Sequence, residues 1–237
     1  MRKTWGIIGL GWLGQQLASK LKQKNCDTWG THRNSFNFER DVLPQASCDV
    51  LFLNTPPLTQ VNSTSFVEKV IQSSSEKIIF VSSTSVYNKN VGALTEDDLP
   101  SSDSQSGQWL LEVEKMLIEK LQDRVIIIRP GGLIGGGRHP VHFLSGRDGV
   151  ANSDHSVNLI HRDDLIEIIS LAANESGIQI INAVSPFHPR RDEYYNGWAR
   201  KLKLKEVKFK PSEGPDRIVD SKHLSNFDWK CRSLDYS

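Results

Sequence analysis

A short apolar run, Thr4–Ile8, leads straight into GLGWLG, Gly9 to Gly14, and an amphipathic helical stretch follows from Trp12 to Lys22. No other feature of the chain limits its fold so strongly. Strand, glycine turn and helix in immediate succession form the opening of a dinucleotide-binding unit, in which bare backbone must bend sharply and still admit a phosphate. Gly9 is expected to allow the tight turn, Gly11 to let a pyrophosphate reach the main chain, and Gly14 to let helix and strand pack closely, with Trp12 and Leu13 completing the loop. The helix N-terminus then offers unpaired N–H groups and the positive end of a dipole to an anion. A glycine turn that merely permits tight packing is the plainer alternative.

The next segments repeat the alternation of apolar runs with amphipathic stretches. Asp27–Thr31, Asp49–Leu53, Lys77–Val81 and Arg124–Ile128 read as strands, and Gln60–Gln72 and the stretch from Ser101 to Leu121 as helices or helix lead-ins. Continuously apolar strands separated by helices predict a parallel sheet covered on both faces, an α/β Rossmann-type doubly wound fold. After Arg129 the texture changes, with GGLIGGGRHP and SGRDGVANSDHS rich in Gly, Ser and His. Asp163–Ala173 and Arg191–Leu202 still predict helices, and Ile178–Ala183 a strand. We therefore expect a dinucleotide-binding core over 1–130 and a small C-terminal substrate lobe over 131–237, packed on the core rather than independent of it.

The cofactor's identity turns on the end of the second strand, roughly 20 residues beyond the glycine loop. NAD specificity usually places an acid there for the ribose 2′-hydroxyl. Here the stretch is WGTHRN, and Arg33, with Thr31 and His32 beside it, suits a 2′-phosphate instead. This favours NADP, with NAD as the alternative.

A formal net charge of +1 gives no bulk electrostatic reason to expect a nucleic-acid or membrane partner. Cys26, Cys48 and Cys231 are scattered and form no metal or disulfide pattern, as expected in a reducing cytoplasm. The basic and apolar N-terminus imitates a signal peptide, but three glycines interrupt it, so none is expected. The pair His139 and His142 flanks a proline and has no acid or thiol at ligand spacing, so no metal site is expected. Asp163 and Asp164 are expected to serve the N-terminal dipole of the helix they open. Trp198, Phe209, Phe227 and Trp229 read as lobe core.

Further motifs arrive in a recognisable order. NTPP (Asn54–Pro57) follows one strand, VSSTSVYN (Val81–Asn88) the next, and RPGGLIGGGRHP and VNLIHRDDL come later. Together with GLGWLG they resemble the extended short-chain dehydrogenase/reductases, the NAD-dependent epimerase/dehydratase group, and within it the atypical members. The resemblance spans most of the chain and weakens after about Lys201. It implies that Ser83 contacts the reacting oxygen and that Tyr87 matches the motif tyrosine on the substrate side, with Asn88 in place of the usual glycine. It also implies that Asn54, Thr55 and Pro56 border the adenosine side, that Ser82 lies beside the cofactor, and that Arg129, Pro130 and Gly131 lie near the nicotinamide. Such proteins act on small molecules, among them nucleotide sugars and other phosphorylated compounds. Arg138, Arg147, Arg190 and Arg191 would then clamp a phosphate or lie scattered on the surface. Folds of this kind often form homodimers, and the sequence leaves the oligomeric state open.

In that family a tyrosine and a lysine stand four residues apart on a helix, where a shared face brings the ammonium near the phenol. A phenol with an ordinary pKa of about 10 then exchanges a proton near neutrality. Aligned with that stretch, LLEVEKML places Ser106 at the tyrosine and Leu110 at the lysine. Shifting the frame does not restore the pair, since Gln108 with Glu112 and Trp109 with Val113 both fail. Three expectations follow: an oxidoreductase with another proton donor, Tyr87 or a histidine; an NAD(P)(H)-binding sensor without turnover; or a retained fold with a different ligand.

Overall fold

The computed structural model describes residues 2–44, 47–87 and 92–234. Twelve strands are present among them: β1 Thr4–Ile8, β2 Asp27–Thr31, β3 Val50–Leu53, β4 Lys77–Val81, β5 Ala93–Leu94, β6 Val125–Pro130, β7 Gly132–Ile134, β8 Asp148–Val150, β9 Leu159–His161, β10 Ile180–Ala183, β11 Lys208–Phe209 and β12 Ile218–Val219. The helices are α1 Trp12–Gln23, α2 Ser63–Ile71, α3 Gln105–Leu121, α4 Val141–Leu144, α5 Arg162–Ala172 and α6 Arg191–Lys201. None is long and apolar enough to cross a membrane.

Six strands form one parallel sheet in the order β10-β6-β4-β3-β1-β2. The doubly wound fold expected from the alternating elements is therefore present. Side chains alternate between faces at period two, and both faces are covered, which is why these strands carry no polar alternation. Leu51, Leu53, Ile78, Phe80, Val125 and Ile127 pack on one side with α2 and α3. Val50, Phe52, Ile79, Val81, Ile126 and Ile128 pack on the other with α1 and α5. The segments after Gly131 return β10 to the sheet, beside β6.

Side-chain caps fix where the helices begin. Asn62 Oδ1 accepts from the Ser65 N–H at 3.1 Å ahead of α2, and Ser104 Oγ from the Gly107 N–H at 3.1 Å ahead of α3. His161 does the same for α5, its Nδ1 accepting from the Asp163 N–H at 3.2 Å. Asp163 and Asp164 occupy the first turn of α5, as the dipole argument expects. Asp164 also has a second task, because it is buried and pairs with Arg232, tying down the C-terminal segment.

A smaller core holds the later segments together, with Ile134, Val141, Val157, Leu159, Tyr195 and Trp198 around His139. His139 stacks on Trp198 at 4.3 Å between ring centroids. Its Nδ1 accepts from the Val141 N–H at 3.2 Å and its Nε2 lies 3.0 Å from the Tyr194 hydroxyl. Burial, reinforced by the neighbouring His142, pushes its pKa from 6.5 down to about 4. The folded protein thus keeps this ring neutral in a range where the unfolded chain takes up a proton. Stability is full above pH 6.5 and falls as the pH drops from there towards 4. Thermal melts between pH 8 and pH 4.5 should show that loss, with a shallower acid slope in His139→Gln; equal slopes would remove His139 as its source.

Candidate cofactor and substrate cleft

In a parallel sheet every strand ends on the same edge, so the loops that follow β1, β2, β3, β4 and β6 converge there. β1 lies between β2 and β3, and the order of strand addition reverses at that point. A crevice opens outside the carboxyl ends at such a switch point. Gly9 follows β1 and Asn54 follows β3, and the two loops are bound to each other. The Asn54 N–H donates to the Ile8 carbonyl at 2.9 Å and its Nδ2 to the Gly9 carbonyl at 3.2 Å. The Leu10 N–H donates to the Thr31 carbonyl at 2.7 Å, joining the end of β2 to the same loop.

Within the loop the three glycines do different work. Gly9 has φ +104°, a region L side chains rarely adopt, and a Cβ there would collide with the Asn54 carbonyl. Gly14 has no such torsion, yet its Cβ would collide with the Gly9 carbonyl, so helix and turn meet backbone to backbone. Gly11 is the N-cap of α1, with φ −87°, and no atom lies within 4 Å of a Cβ built on it. Leu13 is buried under α1, while Trp12 is half-buried at the surface.

The other residues expected at the cofactor are placed as follows. Thr31 is buried at the end of β2, and His32 and Arg33 are exposed just beyond it. Asn54 and Thr55 are half-buried and Pro56 exposed after β3, and Ser82 is buried after β4. Thr55 Oγ1 and Ser82 Oγ are buried with no hydrogen-bond partner among the described residues. Buried hydroxyls are ordinarily satisfied, and a polar ligand along this edge would satisfy both. Pro130 ends β6, and Gly131, which follows it, is closed against the Asn158 carbonyl.

Ser83 caps a short 3₁₀ turn, Thr84–Val86, its Oγ accepting from the Ser85 N–H at 3.1 Å. It lines a pocket of about 240 Å³ with Thr84, Ser102, Asp103, Gly131 and Arg217. The Tyr87 ring borders this pocket, but its hydroxyl is held in a buried network. It lies 3.0 Å from both the Thr95 carbonyl and Asn182 Oδ1, which share its single proton, and accepts from Arg129 Nη1 at 2.9 Å. Burial raises this phenol above its ordinary pKa, with the Arg129 charge pulling the other way. Arg129 is 2% exposed and lies in the same network, forked onto Glu114 with its closest approach at 2.6 Å. Burial pulls the guanidinium down, but Glu114 more than offsets this and holds its pKa raised. Asn88 lies outside the described residues.

On α3, Ser106 is exposed in the first turn and Leu110 is buried in the apolar core. The arginines spread through the later segments do not form one cluster. Arg190 is exposed and pairs with Asp192 at 2.9 Å, and Arg191 lies over the Tyr195 ring. Arg138 and Arg162, however, both lie over the Trp12 indole, at 5.4 and 4.9 Å from its centroid. The loop GGGRHP and the start of α5 are thereby brought to the glycine loop. Arg162 and Arg217 were missed by the sequence reading. Arg162 stands inside the motif IHRDD, where a cation beside an acid pair reads as a helix-end charge.

No family model matches the chain. Among curated proteins, YeeZ of Escherichia coli is 30% identical over 94% of this chain and 93% of its own length. Solved structures with the same fold include MoeE5 in complex with UDP-glucose and NAD, with a TM-score of 0.76 at 16% identity over 97% of this chain and 94% of that one. A putative NAD-dependent epimerase/dehydratase from Methylobacillus flagellatus aligns with a TM-score of 0.77 at 19% identity, over 96% and 93% of the two chains. The dTDP-4-dehydrorhamnose reductase of Bacillus anthracis in complex with NADP aligns with a TM-score of 0.76 at 15% identity, over 95% and 92%. With a relative matched along nearly its whole length, the chain belongs to the same family as YeeZ, and its glycine loop, switch point and serine turn stand on the fold of the NAD-dependent epimerase/dehydratases.

Proposed function

We propose that the protein binds a nicotinamide dinucleotide with its pyrophosphate over Gly11, prefers NADP(H), and acts as an oxidoreductase on a small molecule held at Ser83. The observation that carries this reading is the contrast within one loop. Gly9 and Gly14 are closed by neighbouring backbone, whereas Gly11 faces open space at the start of α1. A glycine kept only for packing would be crowded at all three positions. Exposed helix N–H groups then meet the anion, and Thr55 and Ser82 offer hydroxyls along the same edge.

A bound nicotinamide would supply hydride exchange at its C4. The chain's part is to hold and orient the other reactant. Ser83 Oγ accepts from the Ser85 N–H, which leaves its own proton for a substrate oxygen beside Gly131. One observation favours a second reading, a cofactor-binding sensor without turnover. Leu110, where the family's lysine would stand, is 2% exposed in apolar surroundings, and Tyr87 has its hydroxyl committed elsewhere.

Titration of the protein with NADPH and NADH, followed by fluorescence, tests binding. A panel of carbonyl compounds, followed at the reduced-nicotinamide absorbance, tests turnover. Binding without turnover over a broad panel favours the sensor. Arg33 decides between cofactors through a charge-assisted contact of about 1.5–3 kcal/mol, reduced by its exposure. Arg33→Ala should weaken NADPH about tenfold and leave NADH unchanged, a difference of about 1.4 kcal/mol. Equal effects on both cofactors would exclude the 2′-phosphate contact.

A further inference from the structure

Arg217 is a cation without a counter-charge among the described residues. Arg129 pairs with Glu114 and Arg162 with Asp163 at 3.2 Å, whereas half-buried Arg191 lies over the Tyr195 ring with its Nε unpartnered among the described residues, outside the Ser83 pocket. Arg217 is half-buried, and among the described residues no carboxylate lies in ion-pair reach of it. Among the described residues its guanidinium makes one hydrogen bond, from Nη1 to the Thr84 carbonyl at a long 3.4 Å. Burial alone acts on this guanidinium, and it lowers the pKa. A charge withdrawn from water without a partner is costly, so folds rarely keep one unless something else neutralises it.

The side chain is not there by loose placement, because the backbone around it is clamped. Asp216 accepts from the Ser156 N–H at 2.9 Å and from its hydroxyl at 2.5 Å. Asn158 donates to the Arg217 carbonyl at 2.8 Å and accepts from the Val219 N–H at 2.7 Å. β12 then pairs with β5, Ile218 opposite Ala93. From this fixed base the guanidinium lines the pocket that also holds Ser83, Ser102 and Gly131. The pocket's acid, Asp103, is exposed and remains apart from it. The pocket's volume of about 240 Å³ is small beside the roughly 300–1,000 Å³ usual for drug-sized ligands.

We propose that Arg217 is a binding residue for the substrate's anionic group, a carboxylate or a phosphate ester, and that the substrate is compact. The guanidinium's planar fork suits either group, because both present two oxygens at matching spacing. With the serines lining the same pocket, the site would hold the charged end of the substrate while Ser83 meets its reacting oxygen. This rests on placing the nicotinamide side of the cleft at Ser83 and Gly131.

Calorimetry on the full chain saturated with NADP⁺, using inorganic phosphate, malonate and UDP-glucose as probes, tests the assignment. At least one of phosphate and malonate should bind, and Arg217→Gln should weaken that binding tenfold or more. The tighter of the two names the chemistry of the substrate's anion. NADPH affinity and melting temperature should stay as in the parent, which separates a lost anion site from a failed cofactor site or a misfolded chain. Arg217→Lys should recover part of the affinity, since it restores charge without the fork. Anion binding unchanged in Arg217→Gln, or neither small anion bound by the parent, would overturn the assignment. Tight UDP-glucose binding that depends on Arg217 would overturn the compact substrate.

Discussion

A Gly11→Val chain should fold as the parent does and lose NADPH affinity by at least about 100-fold, some 2.7 kcal/mol of binding. Both halves of this expectation come from one position. Gly11 has φ −87°, which any residue adopts, and a Cβ built there meets nothing within 4 Å. An added side chain therefore starts in open space, and its cost to folding is about 1 kcal/mol, set by the poor N-cap preference of valine. The same group fills the space over the first N–H groups of α1, where a diphosphate must touch backbone to use them. Gly14→Val gives the opposite signature. Its Cβ runs into the Gly9 carbonyl, so the cost falls on folding, at about 1–3 kcal/mol or more for forcing atoms into a packed site. Calorimetry with NADPH and a thermal melt on each variant separate the two. Unchanged NADPH affinity in Gly11→Val would falsify the placement of the pyrophosphate.

That contrast also marks how far the sequence reaches. GLGWLG between a strand and a helix is legible because the turn at Gly9 and the backbone contact at Gly14 each exclude a side chain within a few adjacent residues. The inner strands of the sheet are legible for a related reason: burial on both faces makes runs such as KIIFV and RVIII apolar without interruption. The short pairs β5 with β12, β7 with β9 and β8 with β11 escape notice. They run two or three residues each and join segments far apart in the chain, so no local period announces them.

Side-chain direction is harder to read than position. The motif SSTSVY places Tyr87 beside the cleft, but whether its hydroxyl faces substrate or core depends on Asn182 and Arg129, 95 and 42 residues away. Arg217 gives no local sign at all. EGPDRIVDS offers an arginine next to an aspartate, and sequence suggests a pair; in the fold that aspartate turns to Ser156 instead. Glu114 is the missed residue that did leave a trace. It stands four residues after Leu110 and three before Leu117, inside the apolar stripe of α3 rather than beside it. A carboxylate in that position requires a cation from elsewhere, and RP at the end of the next strand supplies it.

Replacing Glu114 by Gln should destabilise the protein by about 3–5 kcal/mol, because it leaves the Arg129 charge buried without compensation. At the roughly 2–4 °C per kcal/mol of a chain this size, the melting temperature falls by about 6–20 °C. The effect exceeds that of an ordinary surface ion pair, worth about 0–1 kcal/mol, since both side chains here are 2–3% exposed and water cannot take over. The damage should also travel. Arg129 carries Tyr87, and Tyr87 reaches Asn182 on β10 and the Thr95 carbonyl, so one network joins α3, β6, β10 and a wall of the Ser83 pocket. A Glu114→Leu, Arg129→Met double variant removes both charges while Tyr87 keeps its two other partners. It should recover most of the stability lost by Glu114→Gln, because the penalty comes from an orphaned charge more than from a missing bond. Urea denaturation of the parent, the single and the double variants measures the difference directly. A double variant no more stable than the single one would show that the pair contributes through its geometry, and that neutralising Arg129 is not what Glu114 is for.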